Sequence, residues 1–444
     1  MLLASIPSHA GPRLDRLPIG PFHWRMLRLI GAGMFLDGFE IYLAGGVLGA
    51  LLKEGWSNLD LNAHFISATF AGMVIGTWLA GVLGDRYGRR FSYQINLLLF
   101  GFASLAAAAA PSMAWLIVAR FFMGIGLAAE IVAGYAALAE FVPPASRGRW
   151  LSGLAICTNS ALFVSSLIGY VVIPNLGWRA MFIIAGAGAL IIWAARKGMP
   201  ESPRWLETKG RFDEADLVLR AIEGEAAKTQ PLPPVVSETN ISQPAKARSI
   251  AALFSRQFLG RTLLGSLICI AVSVSVYGLI VWLPSFFVKQ NYSMSASLGF
   301  SALMTLGAPA GAIIGAVFAD RMGRRRGVIG SALATVVLSS IYPFAHNEAL
   351  FVAVGFALIS AIYVFVTVGW CLYVPEMFPT DIRMRGVGIC NMAGRMTTIV
   401  IPYAIVWIFD AFRIAGVIGL VTAIMLLSAI ATYALGTETA KSTM

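Results

Sequence analysis

Five charged side chains stand inside apolar runs of this chain: Asp37, Glu40, Arg120, Glu130 and Arg395. A charge at mid-membrane costs about 2.5–3.5 kcal/mol by insertion scales, so each needs a partner, a wet cavity or a proton. Asp37 and Glu40 are three apart and project from one face of a helix. An acid beside an arginine is a proton switch: protonating the carboxyl releases the guanidinium, and deprotonation re-forms the pair. Asp37 reads either as a second proton site or as a polar residue at a helix end. Glu130 follows the segment RFFMGIG and either faces a cavity or pairs with Arg120 or a backbone group.

Arg395 has a different chemistry in view. Its planar fork suits a carboxylate, and the alternative is a structural tie to an acid such as Asp37 or Glu130. At the matching place in the first half of the chain stands Asn159, not a charge. Tyr42, Tyr277, Trp282, Tyr363, Trp370 and Tyr373 are candidates to line an aromatic cavity, although most aromatics in such a chain pack or face lipid.

The elements that position these residues follow from composition. Hydrophobic residues make up 58% of 444 and charged residues 12%, about half the charge of a soluble domain. A span needs about 20 apolar residues, and twelve runs qualify: 27–52, 64–83, 92–110, 114–139, 150–173 and 179–197, then 263–287, 296–319, 327–345, 349–373, 387–408 and 412–435. With both termini cytoplasmic, Lys53, Arg179, Lys289 and Arg413 face outward and Arg120 and Arg395 lie within the membrane, which leaves 27 of the 33 Lys and Arg residues inside. That bias is the positive-inside rule. It also accounts for the net charge of +11 without a nucleic-acid partner. Cys157, Cys269, Cys371 and Cys390 fall in the spans and read as packing residues. No cleaved signal peptide is expected, since the segment before the first apolar run lacks a short apolar core ahead of a cleavage site.

The chain also repeats itself. GVLGDRYGRR at 81–90 returns as AVFADRMGRR at 316–325, and EFVPPASR at 140–147 returns as EMFPTDIR at 376–383. Asp85 thereby recurs as Asp320, Glu140 as Glu376, and Glu201 of PES as Glu438 of TET, at nearly constant spacing. Duplicated halves of apolar spans are the mark of a membrane transporter. The expected segments are 1–26, a six-helix bundle at 27–197, a linker with short helices at 198–260, a second bundle at 261–435 and a tail at 436–444. The linker reads as flexible. Pro284, Pro309, Pro375 and Pro402 mark expected bends, and Gly307, Gly311 and Gly315 an expected packing stripe.

These motifs resemble the major facilitator superfamily over essentially the whole chain. The hallmark loop matches at Gly81, Asp85, Arg86, Gly88, Arg89 and Arg90, while Ala316 replaces the first glycine in the second copy. The resemblance implies an all-α membrane fold of twelve helices in two pseudo-symmetric six-helix bundles. It further implies a cytoplasmic gate of Asp85, Arg86, Arg90, Glu140 and Arg147 with Asp320, Arg321, Glu376 and Arg383. PESPRWL looks like the sugar-porter and organic-ion branch, and LDGFEIYLAGG looks like the D-G-x-D signature of aromatic-acid/proton symporters, with Glu40 in place of the second Asp. Proton-coupled sugar porters carry an acid and an arginine at the positions matching Glu40 and Arg120. Paired helix-7 glutamines of sugar porters are missing from AVSVSVYG, and the G-P-rich helix-5 motif of drug antiporters from CTNSALFVSSLIG.

The expected function is uptake of a small organic acid, an aromatic carboxylate, by alternating-access symport with protons. Arg395 and Asn159 with the aromatics would hold the substrate near mid-membrane, and Glu40, Arg120, Asp37 and Glu130 would handle the proton. The alternatives are transport of an organic cation, a sugar or another polar metabolite. No catalytic or metal motif and no P-loop is present, so neither an enzyme nor a cofactor is expected. The partners are the bilayer, the substrate and protons, with a monomer expected; the resemblance places the chain in a bacterial inner membrane.

Overall fold

The computed structural model describes residues 10–234, 250–345, 347–379 and 382–439 and, among them, helices without strands. The part of the expected linker at 235–249 lies outside the described residues, as do 1–9, 346, 380, 381 and 440–444. A short helix α1 (Ala10–Asp15) precedes six long ones: α2 (Pro21–Lys53), α3 (Leu59–Tyr87), α4 (Arg89–Ala108), α5 (Met113–Phe141), α6 (Pro144–Leu176) and α7 (Arg179–Ala195). Proline opens α2 and α6, where its missing N–H costs nothing. Serine suits a helix start because its hydroxyl can accept from a free amide of the first turn. Ser112 does so ahead of α5, accepting from the Trp115 N–H at 3.3 Å. Two short helices follow, α8 (Pro203–Thr208) and α9 (Phe212–Ala227).

The second half departs from simple spans where prolines were expected to bend it. The run at 263–287 is two helices, α10 (Leu259–Gly278) and α11 (Leu283–Lys289), joined by a 3-10 turn that ends just before Pro284. The run at 296–319 divides at Leu306 into α12 (Met294–Thr305) and α13 (Gly307–Met322), with Pro309 in the first turn of the latter. α14 (Arg324–Ile341) is followed by α15 (Glu348–Phe365), which continues as a π-helical segment over Val366–Tyr373 and ends in α16 (Val374–Glu376) at Pro375. The final helix α17 (Arg383–Leu435) turns a corner at Arg413, whose φ is 57° and ψ −155°. Pro402 stays inside that helix.

Among the described residues, ten helical stretches are long and apolar enough to cross a membrane; the last turns at Arg413 into two, and α5 carries a shorter apolar stretch, Met113–Ala128. Twelve passes therefore stand among the described residues where the apolar runs placed them. The glycine stripe lies against α15 and the π-helical segment that continues it: a Cβ on Gly311 would fall 2.9 Å from the Tyr363 Cβ, and one on Gly315 2.9 Å from the Thr367 Cβ. Small residues let those backbones approach closely.

Two compact units emerge. The first comprises Met1–Ile41, Ala71–Ala161 and Phe182–Ser242; the second comprises Tyr42–Phe70, Leu162–Met181 and Gln243–Met444. Their boundaries cut through α2, α3, α6 and α7, whereas the repeat divides the sequence at 198–260.

Within the first unit, α1, α8 and α9 form a packed layer. Arg13 reaches Asp216 at 2.6 Å and Glu223 at 2.7 Å, Arg16 reaches Glu223 at 2.6 Å, and Arg204 reaches Asp15 at 2.5 Å. Leu14, Leu17, Leu219 and Ile222 bury their side chains in the same apolar cluster. Burial pushes the Glu223 carboxyl up, but the hydrogen bonds from Arg13 and Arg16 outweigh it and hold the group below its ordinary range. Arg13 does the same for Asp216. A depressed folded-state pKa gives stability that is present above the unfolded value of about 4.3 for Glu and disappears as pH falls through the folded value. Acidification through that window is expected to release α1, and Glu223→Gln to release it at neutral pH. Hydrogen exchange over 212–227 should then rise about tenfold, from the roughly 1.5 kcal/mol that a charge-assisted hydrogen bond contributes. Exchange rates independent of both changes would refute the clasp.

Candidate functional site

The charges of the first unit gather along α2. Glu40 accepts from Arg120 of α5 at 2.5 Å, with the two side chains 0% and 1% exposed. One turn earlier, Asp37 is fully buried, and neither carboxylate oxygen has a hydrogen-bond partner among the described residues. A further turn down, Gly33 leaves a gap that Glu130 of α5 and Arg196, just past the end of α7, fill as an ion pair. A Cβ on Gly33 would fall 2.6 Å from the Glu130 Oε1 and 2.8 Å from the Arg196 Cζ. Arg196 also donates to the carbonyl oxygens of Leu29 at 2.9 Å and Ile30 at 3.0 Å. Its ring neighbour is Tyr93 of α4, 5.5 Å from the guanidinium. Glu130 was expected to pair with Arg120 or the backbone if it did not face a cavity. It pairs with Arg196 instead, because Glu40 occupies Arg120 and Gly33 opens the space one level down. A cation at a helix C-terminus is favoured by the macrodipole as well.

The second unit holds a phenol cluster beside Arg395. The Tyr42 and Tyr363 hydroxyls lie 3.2 Å apart, and Tyr277 interacts electrostatically with both Tyr42 and Arg395. Phe70 packs edge-on against Tyr277, 4.6 Å between ring centroids. Arg395 sits half-buried in α17, and no ion pair reaches it among the described residues. The acids named as its alternative partners are accounted for otherwise: Glu130 is on Arg196, and Asp37 has no hydrogen-bond partner among the described residues. Trp282 is buried and stacks on Phe286, centroids 6.0 Å apart. Two candidates stand away from the cluster. Trp370 is 39% exposed and donates its indole N–H to Asn391 at 2.6 Å. Tyr373 donates to the Thr437 carbonyl at 2.9 Å and anchors the C-terminal stretch of chain instead of lining a cavity. Asn159 is half-buried in α6 and belongs to the first unit.

Each copy of the D-R-x-G-R-R loop builds the same local knot in its own unit. Gly88 and Gly323 take φ of 103° and 83°, values that side-chain-bearing residues rarely adopt. The next amides are capped by an acid from far along the chain: Glu201 accepts from the Arg89 N–H at 3.0 Å, and Glu438 from the Arg324 N–H at 2.7 Å. Arg89 bridges Asp85 at 2.8 Å and Glu140 at 3.4 Å, and Arg324 reaches Glu376 at 3.2 Å. Arg90 and Arg325 each donate to a late-helix carbonyl at 2.6 Å, those of Lys197 and Tyr433. Arg86 and Arg321 are exposed. Arg147 and Arg383 donate to the carbonyls of Val142 at 3.4 Å and Phe378 at 3.1 Å. Asp320 lies in the last turn of α13, and its side chain is outside the described part.

The sugar (and other) transporter family matches residues 30–444. The chain belongs to that family of major facilitator transporters. Among its relatives, the inner membrane metabolite transport protein YdjE of Escherichia coli is 37% identical over 97% of this chain and 96% of that protein. The niacin transporter NiaP of Acinetobacter baylyi is 30% identical over 97% and 98%. A crystal structure of a D-xylose–proton symporter superposes with a TM-score of 0.74 over 95% of this chain and 99% of that one, at 18% identity.

The transporter is thus a multi-pass membrane protein with the twelve-helix fold in two six-helix bundles, and not an enzyme. Sequence reasoning overlooked Arg196, which reads as one more basic residue at a helix end. It overlooked Arg89 and Arg324 as the arginines that take the acids, although both stand in the repeated loop. The matching places of Glu201 and Glu438 in the two halves were the available signal for their shared capping role. In this transporter Gly88→Ala would place a Cβ against the Glu201 carboxylate and force a strained backbone costing about 1–3 kcal/mol. Lower thermal stability in detergent and impaired uptake are expected; a variant that melts with the parent would remove the argument.

Proposed function

We propose that this transporter takes up a small organic acid, an aromatic carboxylate, together with a proton. The observation that carries the reading is Arg395: a half-buried guanidinium in an apolar helix, without an ion-pair partner among the described residues, beside Tyr277 and the phenols of Tyr42 and Tyr363. Its fork would take the carboxylate and the tyrosines would pack the ring. The relative named for niacin, a pyridine carboxylic acid, supports that substrate class. Glu40 and Arg120 would form the coupling pair, and the acids and arginines around the two repeated loops, Asp85, Arg86, Arg90, Glu140 and Arg147 with Asp320, Arg321, Glu376 and Arg383, would close the cytoplasmic side. Both termini would be cytoplasmic, a reading supported by the bias of basic residues, and the membrane would be a bacterial inner membrane, as the name of the relative YdjE suggests. Hydroxyl-rich sugars are the second reading, favoured by the three phenols and by the likeness to a xylose–proton symporter.

The test is uptake into liposomes holding the purified transporter, with proton flux recorded for aromatic carboxylates, aliphatic acids, sugars and organic cations. One-to-one symport of a proton with a monocarboxylate is electroneutral, so each pH unit should concentrate the substrate about tenfold. Glu40→Gln should lose that accumulation while still equilibrating substrate. Flux with sugars or cations alone would discard the carboxylate assignment. Accumulation unchanged in Glu40→Gln would discard the coupling pair.

A further inference from the structure

Among the described residues of the first unit, three fully buried carboxyls share two fully buried guanidiniums: Asp37, Glu40 and Glu130 against Arg120 and Arg196. The two arginines are taken one to one by Glu40 and Glu130, which leaves Asp37 between them with both oxygens unpartnered. The charge count therefore closes at neutrality only with one added proton in the cluster. The acids also descend in order along α2. At about 1.5 Å per residue, Asp37 lies about 4.5 Å along the axis from Glu40 and about 6 Å from the level of Gly33, where the Glu130 carboxylate sits.

We propose that Glu40, Asp37 and Glu130 form a carboxyl relay that carries the transported proton through the first unit, with Glu130 and Arg196 as its exit step. This rests on the proton-coupled reading above. The proton leaves the Glu40 carboxyl for Asp37, and the freed Glu40 carboxylate re-forms its pair with Arg120. It then passes from Asp37 to Glu130, whose protonation breaks the bond to Arg196. Arg196 keeps the carbonyl oxygens of Leu29 and Ile30 as acceptors, and its charge interacts with the Asp37 carboxylate left behind. Glu130 finally gives the proton to water, and the Arg196 pair closes again. The cluster is neutral while the proton occupies any of the three carboxyls. The titratable and charged groups facing Asp37 are Glu40 on its own helix, Glu130 on α5 and Arg196 beyond α7. Tyr93 of α4 faces the exit pair. Gly33 is the structural device that lets Glu130 and Arg196 stand directly below Asp37.

The deciding experiment compares two modes of the liposome-reconstituted transporter, using nicotinate first and then whichever substrate of the screen drives proton flux. Exchange of labelled for unlabelled substrate requires no net proton release, whereas substrate-driven proton flux does. Glu130→Gln is expected to keep exchange within about twofold of the parent and to lose proton flux at least tenfold, and Glu130→Asp to restore the flux. Because Glu130→Gln leaves Arg196 buried without a counter-charge, the double variant Glu130→Gln, Arg196→Gln is run beside it, with the same split expected. Proton flux retained in these variants would overturn the relay and leave the coupling at Glu40 intact. Loss of exchange along with flux in both variants would also overturn it, since the pair would then be structural. Failure of every substrate to drive proton flux in the parent protein would instead sink the proton-coupled reading, and the relay with it.

Discussion

Replacing Arg395 by alanine is expected to reduce uptake of a carboxylate substrate about 30-fold to several thousand-fold, while leaving the protein folded. Truncating one partner of a buried charge-assisted pair costs about 2–5 kcal/mol, and each 1.4 kcal/mol is about a factor of ten. The fold should survive because no ion pair within the described chain depends on Arg395: Glu40 and Glu130 have their own arginines. Arg395→Lys is informative beside it. Lysine keeps the charge but loses the planar fork, so an intermediate loss is expected for a carboxylate and none for a neutral sugar. Binding measured by calorimetry on the purified variants checks this. Carboxylate affinity unchanged in Arg395→Ala would end the assignment of the substrate's acid group to this side chain.

The second large effect is on stability. Arg120→Ala would leave the Glu40 carboxylate buried at 0% exposure with its cation gone, and breaking a buried pair by removing one partner costs about 3–5 kcal/mol. Removing both charges is different, because two neutral groups of similar shape forfeit the ion pair and its desolvation together. Glu40→Gln combined with Arg120→Gln should therefore recover most of the loss. Unfolding in detergent, followed for the parent, Arg120→Ala and the double variant, provides the comparison. A double variant as unstable as Arg120→Ala would show that shape or backbone contacts at this level of α2 and α5 matter more than charge, including the 3.4 Å bond from Arg120 to the Glu40 carbonyl.

Long-range composition determined much of this protein without any coordinates. Twelve apolar runs each bury their backbone hydrogen bonds as helices because a bilayer offers no alternative partner. The repeated D-R-x-G-R-R loops announced a duplicated transporter, since only a duplication places an acid, a glycine and an arginine pair twice at matching offsets. The high cost of charge inside those runs singled out Asp37, Glu40, Arg120, Glu130 and Arg395 before any contact was known. What only the tertiary structure decided was who meets whom. Pairing depends on the angular phase of one helix against another and on gaps of a single Cβ, and neither is written in hydropathy. Arg196 reached Glu130 because Gly33 left room for both; a basic residue at a helix end gives no hint of that. Tyr42 joined Tyr363 while Trp370 paired with Asn391, and hydropathy does not distinguish one aromatic from the other. Asp37 lost its share of two arginines to its neighbours, and that accounting of five charges could be made only once the helices were packed.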